Sequence, residues 1–113
     1  MGRLDFGRRL QAYDASVIES DVGAVGGLFV ESTSACIDIV ELQVVPEYQG
    51  IGIGTSVVQG VVDEGQRRGI PVTLSVVLAN ARAKQLYERL GFEVTGFEAP
   101  FIRMRHHPRS TAV

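Results

Sequence analysis

The chain has 113 residues, 45% of them hydrophobic and 21% charged, which is enough for one domain with one core and too short for two. Its formal net charge is -2, with acids and bases intermixed, which argues against a protein that binds nucleic acid through a basic stripe. The chain has a single cysteine, which predicts a protein without internal disulfides. No apolar run approaches the ~20 residues of a membrane span, and the start does not resemble a signal peptide, so we expect a cytoplasmic protein that binds no membrane.

The first 31 residues predict a short lead-in followed by a β-hairpin. Residues 1–13 carry apolar side chains at near-helical spacing, so we expect a short helix or a frayed start there. Residues 15–19 and 25–31 have strand composition and flank a small polar turn, which is typical of a hairpin. Gly26 and Gly27 inside the second strand indicate a bulge or a close approach of two backbones.

The third predicted strand covers residues 37–45. Its apolar alternation changes phase in the middle, at Val40 and Glu41, and a bulge at one of these residues accounts for the change. Pro46 ends the strand because proline has no N–H to donate to a neighbouring strand.

A glycine-rich turn follows this strand where a helix is about to begin, with the sequence Gln49-Gly50-Ile51-Gly52-Ile53-Gly54. Glycine lets backbone N–H groups lie close against a ligand, and the first N–H groups of a helix have no intrahelical partners. Such a turn is suited to binding a phosphate or pyrophosphate. It is not a P-loop, because no lysine follows a glycine, and not a dinucleotide motif, because Thr55 or Val57 stands where the third glycine belongs. A tight strand-to-helix turn that binds nothing explains the same residues.

Residues 52–68 predict an amphipathic helix whose apolar side is mostly valine. Gly60 and Gly65 each lower its helix propensity by ~1 kcal/mol, so packing against a sheet has to stabilise it. Residues 72–78 then form a fourth strand. A strand, a helix and a further strand of these lengths predict a right-handed βαβ unit with parallel strands, and ligands bind such sheets at the carboxyl ends of the strands. The glycine-rich turn lies at that end.

The last third of the chain predicts a helix and a second hairpin. Asn80 is a good N-cap for a helix over residues 81–90, and Gly91 suits the position just past its end. Residues 92–99 and 101–105 form the closing hairpin.

Two motifs in this order resemble those of the GNAT superfamily of N-acetyltransferases. The glycine-rich turn matches the Gln/Arg-x-x-Gly-x-Gly/Ala motif of the superfamily, and residues 80–92, about 25 residues later, match its second motif. The resemblance covers roughly residues 15–105. It implies an α/β (α+β) fold with a mixed, mostly antiparallel sheet and a central parallel βαβ unit, whose two parallel strands splay apart to hold acetyl-CoA.

The resemblance implies a site for acetyl-CoA, the co-substrate, that is built largely from backbone groups. The third strand would pair with the pantetheine and acetyl parts as if they were an added strand, and the glycine-rich turn would hold the pyrophosphate. The residues implied as cofactor-binding are Leu42, Gln43, Val44, Gln49, Gly50, Ile51, Gly52, Ile53, Gly54, Thr55, Asn80 and Tyr87.

The reaction implied by the resemblance is acetyl transfer from acetyl-CoA to a primary amine of a small molecule or peptide. Tyr87 would be the general acid that protonates the leaving thiolate. A base would deprotonate the amine, whose ordinary pKa near ~10.4 keeps it charged at neutral pH. Glu41 is the first candidate for this base, ahead of Asp38 and Glu31, and the glutamate that some relatives use is Ser75 here. Tyr87 and Glu41 also have structural explanations, as a core residue and a solvated strand residue.

The front of the chain departs from the family pattern, in which a strand and two helices precede the hairpin. We expect a single domain over residues 1–105 that lacks most of these elements, and a disordered tail over residues 106–113. The His106-His107 pair has no further ligands in the sequence, so no metal site is predicted. The edge at residues 15–19 would be unpaired, and pairing with a second copy would cover it, which predicts a homodimer. The alternatives to an enzyme are a non-catalytic acyl-CoA-binding module and a structural remnant that binds nothing.

Overall fold

The computed structural model describes residues 13–21, 23–50 and 52–109. These residues form β1 Tyr13–Ser20, β2 Gly23–Ser32, β3 Ile37–Val44, α1 Ile53–Arg68, β4 Val72–Val77, α2 Ala81–Arg89, β5 Glu93–Glu98 and β6 Phe101–His106. A short 3-10 turn, Pro46–Tyr48, connects β3 to the glycine-rich turn. Residues 1–12 of the predicted lead-in lie outside the described residues. Each strand and helix predicted after it is present, and its ends lie within two residues of the expected ones.

The six strands of the described chain form one mixed sheet in the order β1-β2-β3-β4-β6-β5. The pair β3–β4 is parallel, and the other neighbouring strands are antiparallel. The helix α1 makes the crossover between the two parallel strands, as the lengths of these elements predict. The predicted α/β (α+β) fold with a central βαβ unit is therefore confirmed.

The two parallel strands pair over three residues and then separate. Their last pair joins Ile39 to Leu74, although both strands continue beyond it. The predicted bulge in β3 is confirmed at this point, because Val40 is passed over where the β2–β3 register shifts. We call the opening between the free ends of β3 and β4 the fork.

The hydrophobic core lies between one face of the sheet and the two helices. Four valines of α1 are buried there, and apolar side chains of α2 pack against the same cluster. The other face, which we call the far face, carries the alternate side chains of each strand; by register these include Val17, Phe29, Asp38, Glu41, Gln43, Thr73, Ser75, Val77, Phe101, Arg103 and Arg105. The fork is therefore bordered by the helices on one side and by polar side chains on the other.

Helix α1 comes close to β4 at Gly65. A Cβ on this residue would lie 2.8 Å from Val72 Cγ2 and 2.9 Å from the carbonyl oxygen of Ile70. The glycine that lowers helix propensity thus allows the helix to pack closely on the sheet.

Replacing Gly26 by alanine is expected to destabilise the protein by about 3 kcal/mol. A Cβ on Gly26 would lie 2.1 Å from the carbonyl oxygen of Gln43, so the backbone of β2 or β3 would have to move. The matched control is Gly27→Ala, because a Cβ on Gly27 would lie 3.8 Å from its nearest neighbour, the carbonyl oxygen of Ser16. Urea unfolding of the two variants tests this close approach, and equal midpoints would contradict it.

The predicted start of the disordered tail, at His106, is wrong. His106 is the last residue of β6, and its ring lies edge-on to Phe92 with 5.5 Å between ring centroids. The main-chain N–H of Arg109 donates to Gln66 Oε1 at 2.6 Å, and Gln66 Nε2 donates to the Arg109 carbonyl oxygen at 2.7 Å. Burial, followed by the charges of nearby residues, lowers the pKa of His106. Strand pairing and ring packing hold this part of the chain, and residues 110–113 lie outside the described residues.

Candidate functional site

The fork opens into a cleft of about 780 Å³ that is bounded by β3, the glycine-rich turn and α2. It is lined by Leu42, Val44, Gln49, Gly50, Gly52, Gly54, Thr55, Asn80, Arg82, Ala83, Leu86 and Arg89. It lies at the carboxyl ends of the two parallel strands, which is where ligands bind in open α/β sheets.

Two glycines give the glycine-rich turn its shape. Gly50 has a φ of 80° and Gly52 has a φ of 91°, and Gly52 is the N-cap of α1. A Cβ on either residue would meet no atom within 4 Å. The left-handed backbone, and not a lack of space, is therefore the reason for glycine here.

The start of α1 leaves N–H groups available beside the cleft. The first intrahelical hydrogen bond runs from Ser56 N–H to the Gly52 carbonyl oxygen at 2.9 Å, so the N–H groups of residues 53–55 precede the hydrogen-bonded part of the helix. In the described chain the N-cap has no side-chain hydrogen bond, and the first turn has no acidic residue. The helix dipole adds roughly half a positive charge at this end. The arrangement favours an anionic ligand.

Gln49 holds the glycine-rich turn against β3. Its Nε2 donates to the carbonyl oxygen of Val44 at 2.8 Å. The side chain therefore fixes the turn relative to the strand and also lines the cleft.

Helix α2 forms the opposite wall of the cleft. Asn80 is its N-cap, as predicted, and Asn80 Oδ1 accepts a hydrogen bond from the N–H of Ala83 at 3.1 Å. Arg82, Leu86 and Arg89 lie on the side of the helix that faces the cleft. The two arginines were not among the predicted site residues, although their spacing with Leu86 places all three on one helix face.

Tyr87 packs against the core. Its ring lies edge-on to Phe92 with 5.9 Å between ring centroids, and Tyr87 is not among the residues that line the cleft. Burial raises the pKa of its hydroxyl above the ordinary value of 10.0, so the hydroxyl is protonated at neutral pH.

Glu41 and Gln43 lie on the far face of β3, beyond the bulge. Gln43 Nε2 donates to Glu41 Oε1 at 3.0 Å, and both side chains are exposed. Gln43 also lines a second cleft, of about 690 Å³, on the β2 side of β3 together with Gly26 and Gly27. The carboxylate of Glu41 is thus next to the fork and accessible from solvent.

The other two candidate bases are less suited to accept a proton. Asp38 Oδ1 already accepts hydrogen bonds from Thr73 Oγ1 at 2.5 Å and from Arg103 Nη2 at 3.2 Å. Glu31 of β2 is paired in register with Asp38, at a point where β3 and β4 are still paired and the fork has not yet opened. Ser75 is not free either, since its Oγ accepts a hydrogen bond from Arg103 Nη1 at 2.7 Å.

The cleft brings together eight of the twelve residues predicted to bind the cofactor. Of the remaining four, Ile53 packs its side chain against the core, Gln43 lines the second cleft and Tyr87 packs on Phe92. Ile51 lies outside the described residues.

Among the residues described, no group of three or more His, Cys, Asp or Glu side chains is placed to hold a metal ion. Neither α1 nor α2 has the length and apolar composition that crossing a membrane requires. Cys36 is a free, half-buried thiol.

The fold is shared with solved structures, among them two N-acetyltransferases. The ribosomal-protein-alanine N-acetyltransferase of Escherichia coli has a TM-score of 0.79 and 21% identity, over 92% of this chain and 74% of its own. The paia N-acetyltransferase of Thermoplasma acidophilum, in complex with coenzyme A, has a TM-score of 0.75 and 18% identity, over 85% and 61%. A Pyrococcus horikoshii OT3 protein has a TM-score of 0.72 and 23% identity, over 83% and 64%. The chain thus spans less than two thirds of the last two.

The mixed sheet with its two helices and its parallel β3–β4 pair has the fold of the GNAT superfamily of acetyltransferases, as the two sequence motifs predicted. A family model described as FR47-like protein matches residues 19–101, so the chain belongs to the FR47-like family, which is related to that superfamily. No curated protein matches the sequence.

Proposed function

We propose that the protein is a cytoplasmic N-acetyltransferase that moves an acetyl group from acetyl-CoA to a primary amine of a small molecule or peptide. The observation that carries this proposal is the cleft at the fork, where the N–H groups at the start of α1 lie across from two arginines. A cofactor with an anionic end and a narrow, amide-containing arm fits such a site.

The residues present fit coenzyme A. The N–H groups of residues 52–55 would hold its pyrophosphate, and Arg82 and Arg89 would add charge-assisted contacts to its phosphates. Beyond Ile39 the backbone of β3 has no pairing with β4, so the groups of residues 42–44 that do not pair with β2 would bond the pantetheine amides, apart from the Val44 carbonyl oxygen, which already accepts from Gln49. When bound, acetyl-CoA supplies an acetyl group that is activated as a thioester.

Two side chains are proposed for the proton transfers. Glu41 would accept a proton from the acceptor amine, because its carboxylate is exposed beside the fork. Tyr87 would donate a proton to the leaving thiolate, which is supported by its raised pKa and by its place next to Leu86, a residue of the cleft wall. Asn80, as the N-cap of α2, would position this helix against the cofactor.

The acceptor is tested with a panel of amines. The relative from Escherichia coli is named for an alanine of a ribosomal protein, which supports a peptide amine as one candidate. The chain is incubated with acetyl-CoA and peptides of different first residues, lysine peptides, polyamines or aminoglycosides, and release of the free thiol is measured. Turnover of any amine supports the proposal that the protein is an acetyltransferase. Binding of acetyl-CoA without turnover across the panel would contradict that proposal and favour a non-catalytic acyl-CoA-binding module.

We also propose a homodimer that forms along β1. Among the described residues this strand is at one end of the sheet, and Val17 is 61% exposed. Pairing with a second copy would cover such an edge. Light scattering at micromolar concentration is expected to give twice the 12.2 kDa mass of the chain, and Val17→Lys is expected to shift the protein toward the monomer. A native mass of one chain would contradict the proposal.

A further inference from the structure

A polar cluster joins three strands on the far face, next to the fork. It consists of Asp38 of β3, Thr73 and Ser75 of β4 and Arg103 of β6, and we call it the clamp. Asp38 Oδ1 accepts hydrogen bonds from Thr73 Oγ1 at 2.5 Å and from Arg103 Nη2 at 3.2 Å. Arg103 Nη1 donates to Ser75 Oγ at 2.7 Å. Arg103 therefore extends over β4 and connects β6 directly to β3.

The clamp spans the shortest junction in the sheet. Strands β3 and β4 share three backbone pairs, of which Asp38–Thr73 is the second, and they part after the third. Beyond that point β3 remains paired with β2, and β4 remains paired with β6, to the last residue of each strand. The sheet thus consists of two halves, and the fork opens between them directly beyond the clamp.

The surroundings of the clamp make its hydrogen bonds stronger than those of an ordinary surface ion pair. Thr73 is 6% exposed, and the side chains of Asp38 and Arg103 are 27% and 37% exposed. Charge-assisted hydrogen bonds shielded from water are shorter and stronger than neutral ones, and a buried hydroxyl is costly to leave without its acceptor. A network with these partners favours one relative position of the two halves.

We infer that the clamp sets the angle at which β3 and β4 part and thereby positions the pantetheine arm and thioester of the bound cofactor. Asp38, Thr73 and Arg103 are positioning residues, because they act through the free edge of β3 at residues 42–44. The role in cofactor binding rests on the proposed function, whereas the angle is a property of the protein without ligand.

Ligands with and without the pantetheine arm test this role. Thr73→Val and Arg103→Met remove hydrogen-bond donors at nearly constant size, and each is expected to raise the Kd for acetyl-CoA about tenfold. The Kd for 3′-phospho-ADP, which has the pyrophosphate and no pantetheine, is expected to change less than about twofold. Thr73→Ser keeps the hydroxyl and is expected to retain native affinity. The matched control is Arg105→Met, which replaces another arginine on the same face of β6.

A selective loss of acetyl-CoA affinity supports the clamp as a positioning device. Equal losses for both ligands, no loss, or the same loss in the Arg105→Met control would each overturn the inference. If the native protein binds neither ligand, the proposed function fails instead, and a measurement on the free protein decides the role of the clamp.

Spin labels across the fork provide that measurement. Cys36 is replaced by serine so that it is not labelled, and labels are attached to cysteines introduced by Gln43→Cys and Val77→Cys. These two exposed positions lie on the free ends of β3 and β4, on opposite sides of the fork. The native clamp is expected to give one narrow distribution of distances, and the additional Thr73→Val change is expected to broaden or shift it. A distribution that does not change would overturn the inference.

Discussion

Gly54→Glu is expected to weaken acetyl-CoA binding on the order of 100-fold while leaving the fold intact. The new carboxylate would stand in the first turn of α1, beside the N–H groups proposed to bind the pyrophosphate. Two like charges about 4 Å apart repel by about 4 kcal/mol at an effective dielectric constant near 20. Screening reduces this cost, and each 1.4 kcal/mol that remains is about a tenfold loss of affinity.

Gly54 is the position where loss of binding is separable from loss of fold. It is part of α1, and a Cβ there would meet only Leu42 Cδ2, at 3.9 Å. Glutamate also has a higher helix propensity than glycine and a favourable charge near a helix N-terminus. A substitution at Gly52 would add backbone strain, because its φ is 91°.

The matched control for this variant is Ser56→Glu, which adds the same charge in the same turn outside the residues that line the cleft. Calorimetry gives the Kd of both variants, and thermal unfolding confirms that both are folded. If Gly54→Glu and Ser56→Glu bind acetyl-CoA equally well, the proposed pyrophosphate site is wrong.

Tyr87→Phe is expected to lower kcat about 100-fold, within the usual range for loss of a general acid, and to leave the affinity for acetyl-CoA nearly unchanged. Phenylalanine keeps the ring and its packing on Phe92 and removes only the proton donor. A general acid works while protonated, and burial raises the pKa of this hydroxyl. The native rate should therefore persist through the ordinary tyrosine pKa of 10.0 and fall only as the pH rises through the higher value.

Tyr48→Phe is the control for the loss of a tyrosine hydroxyl, because Tyr48 also packs on the core but lies outside both clefts. Urea unfolding of the two variants separates an effect on catalysis from an effect on folding. A native kcat in Tyr87→Phe would leave Tyr87 with a structural role only.

Features that depend on local pattern could be predicted from the sequence. The change of phase at Val40 and Glu41 located the bulge, because one extra residue in a strand reverses the order of its buried and exposed side chains. The glycine-rich turn and Asn80 marked two helix starts, because helix ends leave backbone groups that need particular residues. These elements place the cleft at the carboxyl ends of the parallel strands.

Features that depend on distant parts of the chain could not be predicted. Arg103 and Asp38 are 65 positions apart, and only the strand order brings them together. A disordered tail is predicted from His106 onward, because neither the pairing of His106 with β4 nor the contact of Arg109 with Gln66 is visible in the local sequence. The orientation of Tyr87 toward Phe92 likewise follows from how α2 packs on the sheet.

The most direct test of the cofactor site at the fork is an amide NMR titration of the native chain with acetyl-CoA. The largest shifts are expected at the amides of Gly52, Gly54 and Thr55 and along residues 42–44, and they are expected to saturate at one ligand per chain. Largest shifts at Gly26 and Gly27 in the second cleft, or no shifts in a folded protein, would contradict this site.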